Sequence, residues 1–484
     1  MINAQTDRHA PLTRRFKAMY GAGALADGIV AAGFGFFLLF YLTVACGMSG
    51  TMAGLANLIA LVIDAVADPA IGLASDRLRS PQGRRAPFMI WSLAPFAAGF
   101  GLLFSIPAAL SGISQFIYVT VCLVVVRVSL SCFVLPLTAV GAEVSDDYGE
   151  RASIVAYRLT FQNAGVLVGV VLGLGVFMAG ADGLLHRAAY APFAWTSAGA
   201  MLTAGAVAIF AVKNVRTRLH EPKAHAAGVN FIAGFAREMT ELSRNRSFLV
   251  LFATVLIYFL AYAANVSLAL HAARYFWRLD SGAIQLILLS ATLGPVLGGP
   301  LSAFALKHIE KRSLAIAAFL TIALCMAWPP LLQLYSPIKL APSSAAILLF
   351  LNGLALGTAI MVGGIGFQSM LADTADEHEL LFGVRREGLF FSGLTLAYKA
   401  AYGLGGLIAG VALDLIAFPA SQAAQGASID GAVLTKLALI SGPLPAMIAA
   451  ISPLFLFGYR LTRARHRQII AELQARNAQA ASGA

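Results

Sequence analysis

The stretch AGLANLIALVIDAVADPAIGL, Ala53 to Leu73, carries two aspartates, Asp64 and Asp68, in an otherwise apolar run. At ~1.5 Å per residue it is long enough to cross the ~30 Å hydrocarbon core of a bilayer as a helix. A carboxylate there costs at least ~2.5–3.5 kcal/mol, so two of them need compensation by a cation, a proton or a basic partner. Residues four apart lie on one helix face, so both acids address the same spot.

The rest of the chain repeats this apolar character. Of 484 residues, 59% are hydrophobic and 12% charged, against roughly 25% charged in soluble domains. Mean hydropathy is +0.79. Twelve apolar spans are expected, near 19–45, 53–73, 87–107, 115–141, 155–180, 190–213, 247–273, 282–306, 313–334, 343–371, 388–417 and 433–459. The predicted fold is an all-α integral membrane protein of twelve transmembrane helices.

Basic residues are divided unequally between the two sets of loops. One set holds Arg8, Arg14, Arg15 and Lys17, then Arg77, Arg79, Arg84 and Arg85, then Arg151, the Lys213–Arg246 stretch, Lys307 to Arg312, Arg385, Arg386 and the Arg460–Arg476 tail. The other holds Arg187, Arg274, Arg278, Lys339 and Lys436. The positive-inside rule places both termini in the cytoplasm, with the chain multi-pass in the plasma (inner) membrane. The net charge of +11 is thereby assigned to the anionic leaflet, with no nucleic acid as partner. The first span lacks a signal-peptide cleavage pattern and is expected to be retained. Cys46, Cys122, Cys132 and Cys325 have no CxxC spacing and read as small hydrophobes.

The longest hydrophilic segment, 214–246, divides the chain into a six-helix half over 1–213 and another over 247–460, with a tail over 461–484. Phe231, Phe235, Met239 and Leu242 give that segment one apolar face, read either as an amphipathic surface helix or as a solvated linker. A weak repeat, Gly72 to Arg85 and Gly298 to Arg312, supports the division. Two six-helix halves around a central path are the layout of the major facilitator superfamily.

Three segments carry a closer resemblance. DAVADPAIGLASDRLRSPQGRRAPF, Asp64 to Phe88, resembles the D-x-x-x-D-P-x-x-G run and basic loop of the glycoside-pentoside-hexuronide:cation symporters. ERASIVAYRLTFQNAG, Glu150 to Gly165, is similar to that family's entry to helix five. LADTADEHELLFGVRREGLFFSGLTLAYKAAYGLGG, Leu371 to Gly406, is similar to its helix ten to eleven connection. The resemblance implies a secondary active transporter, not an enzyme, that couples uptake of a sugar, glycoside or uronide to Na⁺ or H⁺, works as a monomer and needs no cofactor. The alternatives are a lysolipid or other amphiphile as cargo, or a non-transporting membrane sensor.

The same resemblance assigns the cation to Asp64, Asp68 and Ser131, with Na⁺ at the two acids as the sole metal. The competing reading is a structural pair satisfied by Arg127 or Arg158. Asp27, Arg158, Lys399 and Thr138 are the substrate candidates. Asp27 is one position out of register with the family's helix-one acid, an offset of about 100° around the helix. The family's helix-four acid falls on Val134 and its stacking tryptophan on Thr138. Arg127 is expected to balance the charge of one acid. Gly72, Asp76, Arg77, Gly83, Arg84 and Arg85 are read as a cytoplasmic gate in which glycines bring helices two and eleven together, or as topology signals. Asp373, Asp376, Glu377, His378 and Glu379 read as a solvated cytoplasmic loop.

Overall fold

A computed structural model describes residues 11–78, 80–180, 182–215, 240–383 and 387–482. These residues form helices and connections, with no strand among them. Among them, twelve helices are long and apolar enough to span a membrane. They are α1 Arg14–Ala45, α2 Gly50–Arg77, α3 Ala86–Leu103, α4 Gly112–Glu143, α5 Gly149–Phe177, α6 Arg187–Asn214, α7 Arg246–Phe276, α8 Ser281–His308, α9 Lys311–Tyr335 and α10 Pro342–Phe382. The last two are α11 Glu387–Leu415 and α12 Gly431–Gly458. A thirteenth helix, α13 Arg463–Ser482, follows. An even number of crossings puts both chain ends on one side, here called the terminal side.

Helix starts follow local chemistry. The side chains of Thr13, Ser49 and Asp147 accept from the backbone N–H groups of Phe16, Met52 and Glu150, satisfying donors that a helix start leaves unbonded.

The chain folds as two compact units. The first holds Met1–Ala224, Val266–Leu289 and Gly406–Leu437; the second holds His225–Asn265, Ser290–Gly405 and Ala438–Ala484. Helices α7, α8, α11 and α12 therefore give one end to the first unit and the remainder to the second.

In the first unit α1 packs on α5 and α6, α3 on α4 and α6, and α2 on α4. Its terminal-side core gathers Tyr20, Met89, Phe133, Leu137, Val140 and Val212, and the buried Tyr20 hydroxyl donates to the Leu137 carbonyl at 2.9 Å. Lipid gives helices little hydrophobic reason to associate, so small residues and hydrogen bonds hold them. At Gly28 a Cβ would lie 1.9 Å from the Gln162 carbonyl oxygen, and at Gly165 2.2 Å from that of Leu25. Backbone meets backbone along this α1–α5 seam.

In the second unit α9 packs on α10 and α12, around Phe248, Phe319, Met370, Phe390 and Tyr459. Helix α10 continues well past the expected limit near 371, through Phe382, and Gly383 ends it in the left-handed conformation at φ +79. Asp373, Asp376 and His378 are therefore buried helical residues, which corrects the solvated-loop reading. Lys311 pairs with Asp373 at 2.7 Å, and His466 of α13 lies 3.0 Å from Asp376. Arg463 caps the end of α8 by donating to the Leu306, Lys307 and Ile309 carbonyls. Phe231, Phe235 and Met239, like Arg385 and Arg386, lie outside the described residues; Leu242 is buried against Gly393.

Candidate cation and substrate sites

Asp64 is buried, and the buried Ser131 hydroxyl of α4 donates to its Oδ1 at 2.7 Å. Asp68 follows one turn later and is half-buried. The Ser131–Asp64 bond turns this face of α2 toward α4, and Asp68, four residues on, shares the face. Pro69 stands within α2 and has no N–H, which leaves the Ala65 carbonyl without its usual intrahelical donor. Two carboxylates, a hydroxyl and a released carbonyl between the acids make an all-oxygen set suited to a hard monovalent cation. The sequence reading did not single out Ala65, although Pro69 four residues later could have pointed to it.

Arg127 lies one turn before Ser131 on α4. Its guanidinium donates to Asn57 Oδ1 at 2.8 Å and lies 5.1 Å from the centre of the Phe34 ring. Asn57 stands seven residues before Asp64 on α2, so the Arg127–Asn57 and Ser131–Asp64 pairs are successive rungs between two helices running in parallel. Sequence reading did not single out Asn57.

Three substrate candidates meet in the first unit. Arg158 Nη1 donates to Thr138 Oγ1 at 2.6 Å, and Gln162 Nε2 donates to Asp27 Oδ2 at 2.6 Å. Arg158 and Gln162 are one turn apart on α5, so α1, α4 and α5 converge on one polar strip. Asp27 thus joins the strip despite its register offset, through Gln162, which the sequence reading missed. Arg158 is hydrogen-bonded to a neutral hydroxyl and not to the α2 acids.

Lys399 belongs to the second unit. It is half-buried on α11, next to Tyr398, whose ring meets Phe259 at 4.6 Å and Tyr402 at 4.5 Å.

The loop after α2 is a charge network closed within the first unit. Arg85, itself buried, reaches Asp76 at 2.5 Å, Glu143 at 2.7 Å and the Ser75 hydroxyl at 2.7 Å, while Arg84 reaches Glu143 at 2.5 Å. Gly83 takes φ +87, a value that favours glycine in this turn. Arg77 is exposed and joins none of these pairs, and a Cβ on Gly72 would meet open space. The close approach of α2 to α11 lies at the other end, where a Cβ on Gly50 would sit 2.2 Å from the Gly410 carbonyl oxygen. There both carboxylate oxygens of Asp414 accept at 2.8 Å, from the Gly50 and Thr51 N–H groups. Thr43 and His271 approach to 2.9 Å at the same end, and Arg274 pairs with Asp182. Asp414 and Glu143 were missed because each stands at the edge of an apolar span, where an acid is unremarkable.

Comparison with known proteins places this geometry in context. The family profile described as MFS/sugar transport protein matches residues 19–463. A symporter of Synechocystis sp. is 26% identical, with 95% of this chain and 96% of that protein covered. The glucuronide carrier protein homolog of Escherichia coli is 25% identical over 94% of each chain. The isoprimeverose transporter of Lactiplantibacillus pentosus is 21% identical over 92% of this chain and 88% of its own. Among solved structures, a D-xylose-proton symporter aligns with TM-score 0.61 at 12% identity, covering 92% of this chain and 98% of that one, a likeness of fold alone.

Proposed function

This chain belongs to the MFS/sugar transport protein family, and from that premise we propose that it couples uptake of a sugar derivative, a glycoside or uronide, to a cation. It is a multi-pass secondary transporter of the major facilitator fold and not an enzyme. Its relatives' names, a glucuronide carrier homolog and an isoprimeverose transporter, favour this cargo. The cation, Na⁺ or H⁺, binds at Asp64, Asp68 and Ser131; the solute binds at Asp27, Arg158 and Thr138 with Lys399. The protein acts as a monomer in the inner membrane. The excess of basic residues on the terminal side favours a cytoplasmic location for both ends.

The observation that carries the reading is the buried Asp64–Ser131 pair with Asp68 one turn away. With the site empty the two carboxylates repel; a cation removes that repulsion and draws α2 and α4 together. Residues Arg127 and Asn57 transmit the change along the same two helices, and Thr138 lies on the α4 face that continues from Ser131, where Arg158 of α5 donates to it. Coupling of this kind is typically ~1–3 kcal/mol, and each ligand raises the other's affinity by the same factor. The halves over 1–213 and 247–460 then move about the site by alternating access, while the network of Asp76, Gly83, Arg84, Arg85 and Glu143 keeps the terminal-side end of the first half rigid.

The test is uptake into proteoliposomes under imposed Na⁺ or H⁺ gradients. Asp64→Asn and Asp68→Asn should each abolish accumulation while leaving exchange of solute across the membrane at equal concentrations. Wild-type accumulation by both variants would refute the assignment.

A further inference from the structure

Independently of the symport reading, we propose that the second unit carries a terminal-side binding site for the headgroup of an anionic phospholipid, set between the α8–α9 turn and the α12–α13 turn.

The two stretches of the weak repeat end differently once folded. In the first unit the basic pair Arg84 and Arg85 is matched inside the protein by Glu143 and Asp76. At the corresponding place in the second unit stand Lys311 and Arg312, and of these the lysine finds an acid, Asp373. Arg312 instead donates to the Tyr459 carbonyl at 3.3 Å, and its guanidinium lies 5.2 Å from the centre of the Phe457 ring. A carbonyl and a ring face leave most of a guanidinium's donors unused and do not cancel its charge.

Backbone contacts bring further cations to the same spot. Arg463 donates to the Leu306, Lys307 and Ile309 carbonyls, which locks the α12–α13 turn against the end of α8. That turn carries the exposed Arg460, and the end of α8 carries the exposed Lys307. Among the described residues, no carboxylate pairs with Lys307, Arg312, Arg460 or Arg463. Over Phe304–Arg312 and Leu454–Arg463 the sequence holds a single further acid, the exposed Glu310. The local excess of positive charge is complementary to a phosphodiester, and a guanidinium fork suits phosphate oxygens in two-pronged fashion. The position is also held firmly: Tyr459 is buried and its hydroxyl donates to the Met370 carbonyl at 2.9 Å, fixing the carbonyl that Arg312 uses.

The apolar flank decides between a lipid and a soluble anion. Phe304 stands one turn before Lys307 on α8 and is 65% exposed, and Leu454 and Phe457, leading to Arg460, are 59% and 62% exposed. These side chains lie on the membrane side of the cations, where acyl chains run, and basic pockets at the ends of spanning helices hold anionic headgroups. A phosphate bound there ties the start of α9 to the α12–α13 turn and stiffens the terminal-side end of the second unit.

The experiment follows thermal melting of the full-length protein, stripped of lipid in mild detergent and titrated with dioleoyl phosphatidylglycerol, dioleoyl phosphatidylcholine or glycerophosphate. Phosphatidylglycerol should raise the melting temperature saturably, and the other two should not. Arg312→Gln combined with Arg460→Gln should raise the phosphatidylglycerol concentration for half the effect at least about tenfold. Arg14→Gln combined with Arg15→Gln removes the same charge from exposed positions on the same side and should alter it less than about twofold. Equal weakening by the two double variants would mean diffuse attraction to the leaflet and overturns the site, as does an equal effect of phosphatidylcholine. Stabilisation by glycerophosphate overturns the assignment to a lipid. Should the Arg312 and Arg460 variant lose stability on its own, phosphatidylglycerol with a photoreactive headgroup decides on the wild-type protein: crosslinks within 304–312 or 454–463 are expected, and crosslinks confined elsewhere refute the proposal. Each of these failures leaves cation symport standing.

Discussion

Replacing Asp414 tests whether the contacts opposite the terminal side are a latch. Its carboxylate holds two N–H groups at the start of α2 at 2.8 Å each. A hydrogen bond to a charged group contributes ~1.5–3 kcal/mol, and a charge near a helix N-terminus ~0.3–1 kcal/mol. Asp414 and Thr51 are exposed, so solvent screening cuts the pair to about 1.5–3 kcal/mol in all. Asp414→Ala should therefore shift the closed-to-open balance at this end by roughly 10- to 100-fold. Cys46, just beyond the end of α1, is a built-in reporter: burial raises its thiol pKa, so it is a poor nucleophile while this end is shut. The assay is the rate of Cys46 alkylation by a membrane-impermeant maleimide added to the non-terminal side, in protein whose other cysteines are replaced. Faster labelling by about the stated factor is expected, with Asp414→Asn intermediate because its side-chain oxygen still accepts one of the bonds. Unchanged labelling in a folded Asp414→Ala protein would refute the latch.

Two further outcomes follow from packing and charge. Gly28→Val places a branched side chain where even a Cβ would lie 1.9 Å from the Gln162 carbonyl; it should part α1 from α5, lower thermal stability by ~1–3 kcal/mol or more and sever the Asp27–Gln162 bond, read as loss of solute binding with melting of detergent-solubilised protein as the companion measurement. Glu143→Gln leaves Arg84 and Arg85 without their shared carboxylate and should destabilise the first unit by ~3 kcal/mol at most, given Arg85's retained contact to Asp76; melting in mild detergent reads it, and an unaltered melting point would show that the network is ornamental.

The twelve crossings were legible because each needs only a run of apolar residues of sufficient length, a property local to the chain. Asp64 and Asp68 stood out for the same reason: charge inside such a run is conspicuous. Their partner Ser131 came from resemblance, since a serine in a helix otherwise looks ordinary. Gln162 and Asn57 escaped notice because neutral amides carry no penalty that marks them, and their roles exist only once α5 meets α1 and α2 meets α4. The acidic segment Asp373 to Glu379 misled in the opposite direction. Its composition suits water, yet Lys311 and His466, far away in sequence, supply the ion pair to Asp373 and the ring nitrogen 3.0 Å from Asp376 that let it stay helical and buried. The approach of Gly50 to Gly410 was not read from the sequence, because motif spacing records which residues are small and not which of them meet.

The length of α10 has a mechanical corollary. Its 41 residues reach about 60 Å, twice the thickness of the oil they cross, so a stalk of roughly half that length must project on the terminal side. Helix α13 is riveted to that stalk through His466 and to the neighbouring foot of α8 through Arg463. A fluorophore placed near Ser482 would consequently ride with α10 as one solid lever, reporting the tilt of the helix and not the wandering of a loose end.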